Sequence, residues 1–477
     1  MSSLCENSKT ACSRARLSFD CGFKRSTFRA AKVTERLVGA CALLLAAASL
    51  LPAATLFEGA RLIVDARRAP IDNSAFLVDN GRIVKIGAKG AIKAPAGTAR
   101  VDLAGKTVIP ALIDPHVHLG YQKGLGYSAA NFTRENVVDQ LNRYAYAGVA
   151  AVLSMGTDLG DLPYQLRAEQ DSGKLGGALL FTAGRGMAAP NAGPGNAELK
   201  PSAYALTTEE EARRAVREQV ARKVAFIKVW VDDRNGTVQK TTPAIYRAII
   251  DESHKLGTRV IAHVYYLDDA KDLVRSGIDG FAHLVRDREM DDETVALIKQ
   301  RRVFMMPNLG LAESRTYPDP PTWLDDPLFR ETTPSALSAR VRASYAGRAA
   351  ASLEASQKTY RIMQRNLAKL NAAGAVIGFG ADSGAVPDYF HAYNTHRELQ
   401  LMVEAGMTPA QALTAVTVTS AAFLRLADRG TLEAGKAADF LALDADPLAN
   451  IANTRKIAKV YLGGRELDRQ AMRAAFQ

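Results

Sequence analysis

The chain has 477 residues, of which 47% are hydrophobic and 23% are charged, as in an ordinary folded protein. This length predicts one large domain with an appended smaller one. The formal net charge of +11 is unevenly distributed: the first 53 residues carry +5, with 8 Lys/Arg against 3 Asp/Glu, and the rest has no basic block or basic–aromatic stripe. We therefore expect a small-molecule substrate and no nucleic-acid partner.

Residues 1–54 are predicted to be a leader. An apolar run at 37–51 follows Lys32 and Arg36, and small residues come after it. The run is short for a membrane span and typical of a signal-peptide core, with an anchored or buried helix as the alternative. All four cysteines lie in this leader, which suits export to an oxidising compartment. We expect a periplasmic or secreted protein without a stable membrane anchor, and favour the cytoplasm less.

Short strands are predicted on both sides of the central region. Alternating apolar runs flank Asn80-Gly81, a strong hairpin signal, and a similar pattern returns near the C-terminus. Neither set can form a core alone. Residues 55–107 and 430–477 therefore predict one small β-sandwich domain built from both termini.

Between them, residues 108–429 alternate strands and helices. Strands are predicted at 108–118, 149–155, 178–183, 225–231, 259–264, 279–284, 303–307 and 376–382. Helices are predicted at 134–147, 209–221, 243–256, 268–276, 291–300 and within 335–373. This order predicts an α/β fold, a (β/α)8 TIM barrel. A doubly wound sheet is the alternative, weakened because no Gly-rich phosphate loop follows the first strand.

Possible metal ligands stand at the ends of these strands. His116 and His118 end the first strand, and residues i and i+2 of a strand project from one face. Active sites of barrels form at the C-terminal strand ends, and imidazoles with carboxylates suit Zn²⁺ and similar ions. The further possible ligands, each ending its own apolar run, are Lys228, His263, His283 and Asp382.

The strand that contains Lys228 has an aliphatic face and a mixed one. Lys228 shares the mixed face with Phe226 and Trp230, which places it inside the predicted barrel. A lone buried ammonium is costly and requires a partner or neutralisation. Carbamylation by CO₂ would give a carboxylate that bridges two cations. An ion pair with Asp382 or another inner carboxylate is the alternative.

Together the motifs DPHVH, FIKVW, IAHVY, FAHLV and GFGADSG resemble the amidohydrolase superfamily. The resemblance is to its binuclear, carboxylated-lysine branch of imidazolonepropionase-related enzymes, which includes Xaa-Pro dipeptidase-like and ochratoxin-hydrolysing members, and it extends over about residues 56–465. It implies two divalent metal ions: His116 and His118 would hold the more buried one with Asp382, His263 and His283 the other, and carboxylated Lys228 would bridge them.

The chain departs from this pattern in two places. Ala111 replaces the usual glycine before Leu-Ile-Asp, and the loop at 183–190 lacks a histidine that some dipeptidase relatives use on substrate. The second departure leaves the identity of the substrate open.

The resemblance implies a hydrolase of C–N bonds, acting on a dipeptide or an N-acyl amino acid. Hydroxide bridging two divalent ions, expected to be Zn²⁺, would attack the carbonyl, and Asp382 would pass the water proton to the leaving nitrogen. A lactonase or phosphotriesterase would use the same site. A mononuclear deaminase is less favoured, because Tyr266 replaces the glutamate of His-x-x-Glu. A homo-oligomer is compatible with the sequence.

Three side chains are candidates for substrate contacts. Tyr265, one inward step beyond the histidine of strand five, is a candidate for stabilising the oxyanion, with core packing as the alternative. Arg286 is a candidate for clamping a substrate carboxylate, or it pairs with Asp287. His391, which follows strand eight, is a candidate for the pocket wall.

Overall fold

The computed structural model of the protein describes residues 54–476. The predicted leader, apart from its last residue, lies outside this range. Among the described residues, no helix is both long and apolar enough to cross a membrane.

Seven of the eight central strands that the sequence predicted are present in the predicted order, and the eighth, at 376–382, is not. The strands of residues 54–476 are β1 (Thr55–Glu58), β2 (Arg61–Leu62), β3 (Ser74–Asp79), β4 (Arg82–Ala88), β5 (Ala99–Asp102), β6 (Thr107–Pro110), β7 (Leu112–Val117), β8 (Gln122–Lys123), β9 (Gly126–Tyr127), β10 (Val149–Ser154), β11 (Leu179–Thr182), β12 (Gly186–Ala188), β13 (Ala203–Ala205), β14 (Ile227–Val231), β15 (Val260–Val264), β16 (Gly280–Phe281), β17 (Phe304–Met305), β18 (Phe440–Leu443), β19 (Ile457–Leu462) and β20 (Arg465–Glu466).

The helices of the same range lie mostly between the central strands. They are α1 (Arg134–Tyr146), α2 (Leu162–Asp171), α3 (Glu209–Ala221), α4 (Pro243–Lys255), α5 (Leu267–Arg275), α6 (Asp292–Arg301), α7 (Leu309–Glu313), α8 (Pro327–Thr332), α9 (Ser335–Ala343), α10 (Ala350–Ala373), α11 (Tyr393–Glu404), α12 (Pro409–Thr414), α13 (Ser420–Phe423) and α14 (Arg469–Ala475).

Strands from both ends of the described chain pair with each other. One sheet has the order β4-β3-β1-β5, and the other, β2-β6-β18-β19-β20, joins leading and trailing strands. Phe57 and Phe76 of the first sheet pack on Phe440 of the second, each at 5.1 Å between ring centroids, and Tyr461 stacks on Phe440 at 4.5 Å. The two sheets therefore share a hydrophobic core. The β-sandwich and its boundaries at 55–107 and 430–477 stay predictions.

The central strands form two parallel sheets, with the orders β11-β10-β7 and β13-β12-β14-β15-β16-β17. In β14, the aliphatic residues Ile227, Val229 and Val231 belong to the core cluster that also contains Ile245 and Ile249 of α4. This packing leaves the other face of β14, with Lys228, directed away from the helices.

The predicted eighth strand is not regular. In the segment 376–383, only the parallel bridges Met305↔Ile377 and Val117↔Ser383 link the chain to its neighbours. The backbone of Asp382 has φ +55°, in the left-handed region, which a continuous strand cannot contain. The described strands therefore do not form a closed barrel.

Candidate metal centre

The pair of histidines at the end of β7 lies against Asp382. The Nε2 atoms of His116 and His118 are each 3.1 Å from Asp382 Oδ1. All three side chains are buried. His118 Nδ1 lies 2.7 Å from Thr157 Oγ1, which fixes the orientation of that ring. His116 of β7 and His118, the residue after it, therefore point to the same carboxylate oxygen, consistent with the common face that their i, i+2 spacing predicted.

His263 of β15 and His283, two residues after β16, complete this buried group. The ring of His283 lies 5.2 Å from that of His116 and 4.5 Å from that of His263. One possible ligand atom from each of His116, His283 and Asp382 lies within 4.8 Å of the other two. Three side chains from distant parts of the chain can thus bind one ion.

Lys228 lies beside this group without a hydrogen-bonding partner. Its side chain is buried, and among the described residues its Nζ makes no hydrogen bond. Gly156 leaves the space for it, because a Cβ at that position would lie 2.6 Å from Lys228 Cγ. Burial lowers the pKa of Lys228 to about 7. The alternative of an ion pair with Asp382 is therefore not observed.

The protonation states of the cluster suit a cation. Burial lowers the pKa of His116 to about 4 and holds the pKa values of His263 and His283 well below the ordinary value. Burial alone would raise the pKa of Asp382, but the imidazoles of His116 and His118 hold it well below its usual range. At neutral pH His116, His263 and His283 are therefore neutral imidazoles and Asp382 is an ionised carboxylate, the states that metal ligands require.

Asn308, which sequence reasoning missed, contacts two of the histidines. Its Nδ2 lies 2.8 Å from His116 Nδ1, 3.2 Å from His283 Nδ1 and 2.7 Å from Ala282 O. Its Oδ1 is buried without a partner. An NH₂ group has two protons for these three neighbours, and the amide oxygen and nitrogen exchange places when the group rotates by 180°.

The rotated amide of Asn308 suits metal binding. A histidine that binds a cation through Nε2 has its proton on Nδ1, which needs an acceptor. The rotated amide would offer Oδ1 to both His116 and His283, but it would also place this oxygen 2.7 Å from a second acceptor, Ala282 O. Gly380 makes this packing possible, because a Cβ there would lie 2.7 Å from Asn308 Oδ1. A polar residue soon after a predicted strand was the signal available in the sequence.

Asp232, also missed, lies against His263. Its Oδ2 is 3.1 Å from His263 Nε2 and accepts a hydrogen bond of 2.9 Å from Arg234 Nη1. Asp232 is the first residue after β14. Because the predicted metal ligands also stand at the ends of strands, this position could have identified Asp232 in the sequence. In this structure His263 Nε2 therefore faces a carboxylate other than Asp382.

Two of the three predicted substrate-contacting residues, Tyr265 and Arg286, lie against each other. The guanidinium of Arg286 lies 5.0 Å from the centre of the half-buried Tyr265 ring, and its Nη2 lies 3.3 Å from His263 Nε2. Asp287 accepts a hydrogen bond from the Leu267 amide. The alternative pair of Arg286 with Asp287 is therefore not observed, while the substrate roles of Tyr265 and Arg286 stay predictions.

His391 is buried beside the metal cluster but outside it. A Cβ on Gly384 would lie 2.7 Å from His391 Cε1, and the hydroxyl of Tyr144 lies 3.3 Å from His391 Nδ1. His391 also lines a cavity whose wall includes none of the six predicted ligands. Its role in binding substrate stays a prediction.

Residues 107–467 match the Amidohydrolase family. The chain belongs to this family. An uncharacterised protein of Mycobacterium tuberculosis is 26% identical over 74% of this chain and 83% of its own length. A solved structure of a candidate prolidase from Bifidobacterium longum superposes with a TM-score of 0.69 and 26% identity, covering 89% of this chain and 99% of that one.

The solved structure of a Xaa-Pro dipeptidase with bound methionine superposes with a TM-score of 0.68 at 22% identity. The match covers 87% of this chain and 100% of the dipeptidase. The resemblance read from the motifs is thus confirmed at the level of the family. The protein is a metal-dependent amidohydrolase, a hydrolase that acts on C–N bonds. Family membership also implies the predicted TIM-barrel fold with an extra domain.

The contacts of Asn308 predict a measurable effect on metal affinity. Asn308→Gly removes the amide and keeps the left-handed backbone (φ +48°) without steric cost. We expect metal affinity, measured by competition with a chromophoric chelator, to fall about 10- to 100-fold, as for other groups that orient metal ligands. Asn308→Asp, which offers acceptors to both imidazoles, should bind metal at least as well as the parent chain. Unchanged affinity in Asn308→Gly would contradict this role.

Proposed function

We propose that this amidohydrolase hydrolyses the amide or peptide bond of a dipeptide or an N-acyl amino acid, with two divalent metal ions. The observation that supports the proposal most is the ionised Asp382 carboxylate, 3.1 Å from the Nε2 atoms of both His116 and His118. The similar solved structures of a candidate prolidase and a Xaa-Pro dipeptidase support this class of bond.

The buried donor set fits such ions. His116 Nε2 is buried and makes no hydrogen bond in the described structure, although Asp382 lies 3.1 Å away. Lys228 Nζ likewise makes no hydrogen bond among the described residues and lies 5.3 Å from the centre of the Trp230 ring. His116, His118 and Asp382 would hold one ion, His263 and His283 the other, and a carboxylated Lys228 would serve both. Zn²⁺ suits this set of nitrogen and oxygen donors. The ions would supply an acidified water and polarise the substrate carbonyl.

The chain itself would supply proton transfer and substrate binding. Asp382, ionised at neutral pH, accepts the water proton and returns it to the nitrogen of the leaving amine. Tyr265 stabilises the oxyanion of the tetrahedral intermediate. Arg286, whose Nε is buried without a partner, binds the carboxylate of the substrate.

Lys228 supports the bridge through its chemistry. An amine reacts with CO₂ in its neutral form, and burial lowers the pKa of this lysine to about 7. The resulting carbamate has a negative charge where the surrounding groups are neutral imidazoles and cations. We propose the periplasm or the extracellular space as the location, on the strength of the apolar run at 37–51 and the cysteine-free sequence after it.

The reaction class can be tested with a substrate panel. Purified, Zn²⁺-loaded protein is assayed against Xaa-Pro and other dipeptides, N-acyl amino acids, lactones and phosphotriesters, with metal content measured in parallel. We expect turnover of the first two groups, loss of activity after chelation, and about two ions per chain. Turnover confined to lactones or phosphotriesters would contradict the substrate class, and a single ion at full activity would contradict the binuclear site.

The bridging role of Lys228 predicts a chemical rescue. Lys228→Ala should lose activity by about 100-fold or more, because the shared ligand is missing. Added formate, acetate or propionate should restore part of it by occupying the space of the carbamate. Wild-type protein with the same acids is the control. Full activity of Lys228→Ala without added acid would reject the bridge.

Arg286 has a matched neighbour for its test. Arg286→Gln should raise KM about 10- to 100-fold for substrates with a free carboxylate and change little for the same substrates capped as amides, because a charge-assisted pair is lost. Arg288, half-exposed and paired with Asp268, offers Arg288→Gln as the control with unchanged KM. Equal KM values for Arg286→Gln and wild type would contradict the clamp.

A further inference from the structure

A cavity of about 410 Å³ lies outside the metal cluster. Side chains of α1 form one wall, and the start of α9, the segment 389–391 and Phe476 form the others. Leu337, Phe390 and Phe476 give it a mainly apolar surface. This volume is in the range of cavities that bind small organic molecules.

Two polar atoms of buried residues that line this cavity have no hydrogen-bonding partner. Thr333 is 6% exposed and His391 is 7% exposed, and among the described residues neither Thr333 Oγ1 nor His391 Nε2 makes a hydrogen bond. Buried polar groups are nearly always paired with protein groups or ordered water, so the Thr333 hydroxyl is open to a hydrogen-bonding group in the cavity. Burial lowers the pKa of His391 to about 3, so its ring is neutral.

The other polar groups of the wall already have partners. The guanidinium of Arg143 donates to Asp139 and to the backbone oxygens of Thr332 and Phe476. The side-chain amides of Asn136 and Gln140 both donate to Gln122 O. These groups hold the wall together and are not available to a ligand.

The charges on the wall balance. Arg143 faces Asp139 in an ion pair of 2.7 Å, and Lys123 and Glu135 lie exposed at the rim. A charged ligand would gain little from such a surface and would lose its hydration, which favours an uncharged one.

We propose that this cavity is a second small-molecule site, which binds a neutral aromatic molecule with one hydrogen-bonding group. The ring packs on Leu337, Phe390 and Phe476, whose apolar faces suit an aromatic partner. The polar group pairs with Thr333 Oγ1, and the His391 ring closes the wall behind it. The proposal stands independently of the reaction at the metal cluster.

A pair of probes tests the chemistry of the ligand. p-Cresol and toluene differ only in a hydroxyl group, and both are titrated calorimetrically into the metal-loaded full chain. We expect p-cresol to bind at least about tenfold more tightly, the effect of one hydrogen bond to a buried group. Equal affinities, or no binding of p-cresol up to its solubility limit, would overturn the proposal.

Two variants test the location. Leu337→Trp fills the cavity and should abolish one binding site for p-cresol. Thr333→Val keeps the shape, and should weaken p-cresol about tenfold while leaving toluene unchanged. Thr98→Val, in an exposed turn far along the chain from the cavity residues, is the matched control and should change neither affinity.

Circular dichroism first establishes that each variant is folded. If Leu337→Trp is unfolded, the location of the site is tested with Thr333→Val alone. Undiminished p-cresol binding in a folded Leu337→Trp, or in Thr333→Val, would place the probe elsewhere and reject the site. Neither residue contacts a predicted metal ligand in the described structure, so failure of the proposed hydrolysis would leave this test unaffected.

Discussion

The contact of one buried carboxylate with two imidazoles determines much of this structure. An ionised carboxylate in the interior costs several kcal/mol in lost hydration unless polar groups face it. Asp382 receives that compensation from His116 and His118, both at 3.1 Å, which keep its pKa low despite burial. To reach them, the backbone of Asp382 adopts φ +55°, so no regular strand can continue through this residue. The interruption at Asp382 therefore follows from the geometry of the site.

Two glycines are also required by the packing of polar side chains in the metal cluster. Gly380 leaves room for both Asn308 and the Cβ of His116, and Gly156 leaves room for the stem of Lys228. In each case a Cβ would lie within 2.8 Å of a functional side chain, closer than carbon atoms approach one another in proteins. The absence of a side chain at these positions thus leaves the space that the polar groups of the cluster occupy, which accounts for Gly380 two residues before Asp382 in the GFGADSG motif.

The sequence predicted those features that depend on periodicity. The i, i+2 spacing placed His116 and His118 on one face, and the aliphatic alternation of β14 placed Lys228 opposite the helices. It did not predict Asn308, Asp232 or Thr157, because each acts on a ring nitrogen of a histidine from another strand. Such contacts depend on the packing of distant segments, and a polar residue after a strand looks the same whether it orients a ligand or faces water. The alternative ion pairs of Arg286 with Asp287 and of Lys228 with Asp382 stayed open for the same reason, because no periodic pattern in a sequence indicates an ion pair.

The segment that follows Asp382 shows how the cluster is held in place. Within 382–392, the residues Asp382, Asp388 and Ala392 have left-handed φ values, each of which costs about 1–2 kcal/mol for a residue other than glycine. Such a conformation persists only when its surroundings determine it. Gln122 accepts a hydrogen bond from the Asp388 amide at 3.0 Å, Arg340 pairs with the Asp388 carboxylate, and the Tyr127 hydroxyl donates to Gly384 O at 2.8 Å. One end of the segment positions Asp382 among the imidazoles, and the other end positions His391 in the wall of the 410 Å³ cavity. The two sites therefore share one strained support, in which contacts from β8, β9 and α9 offset the backbone cost.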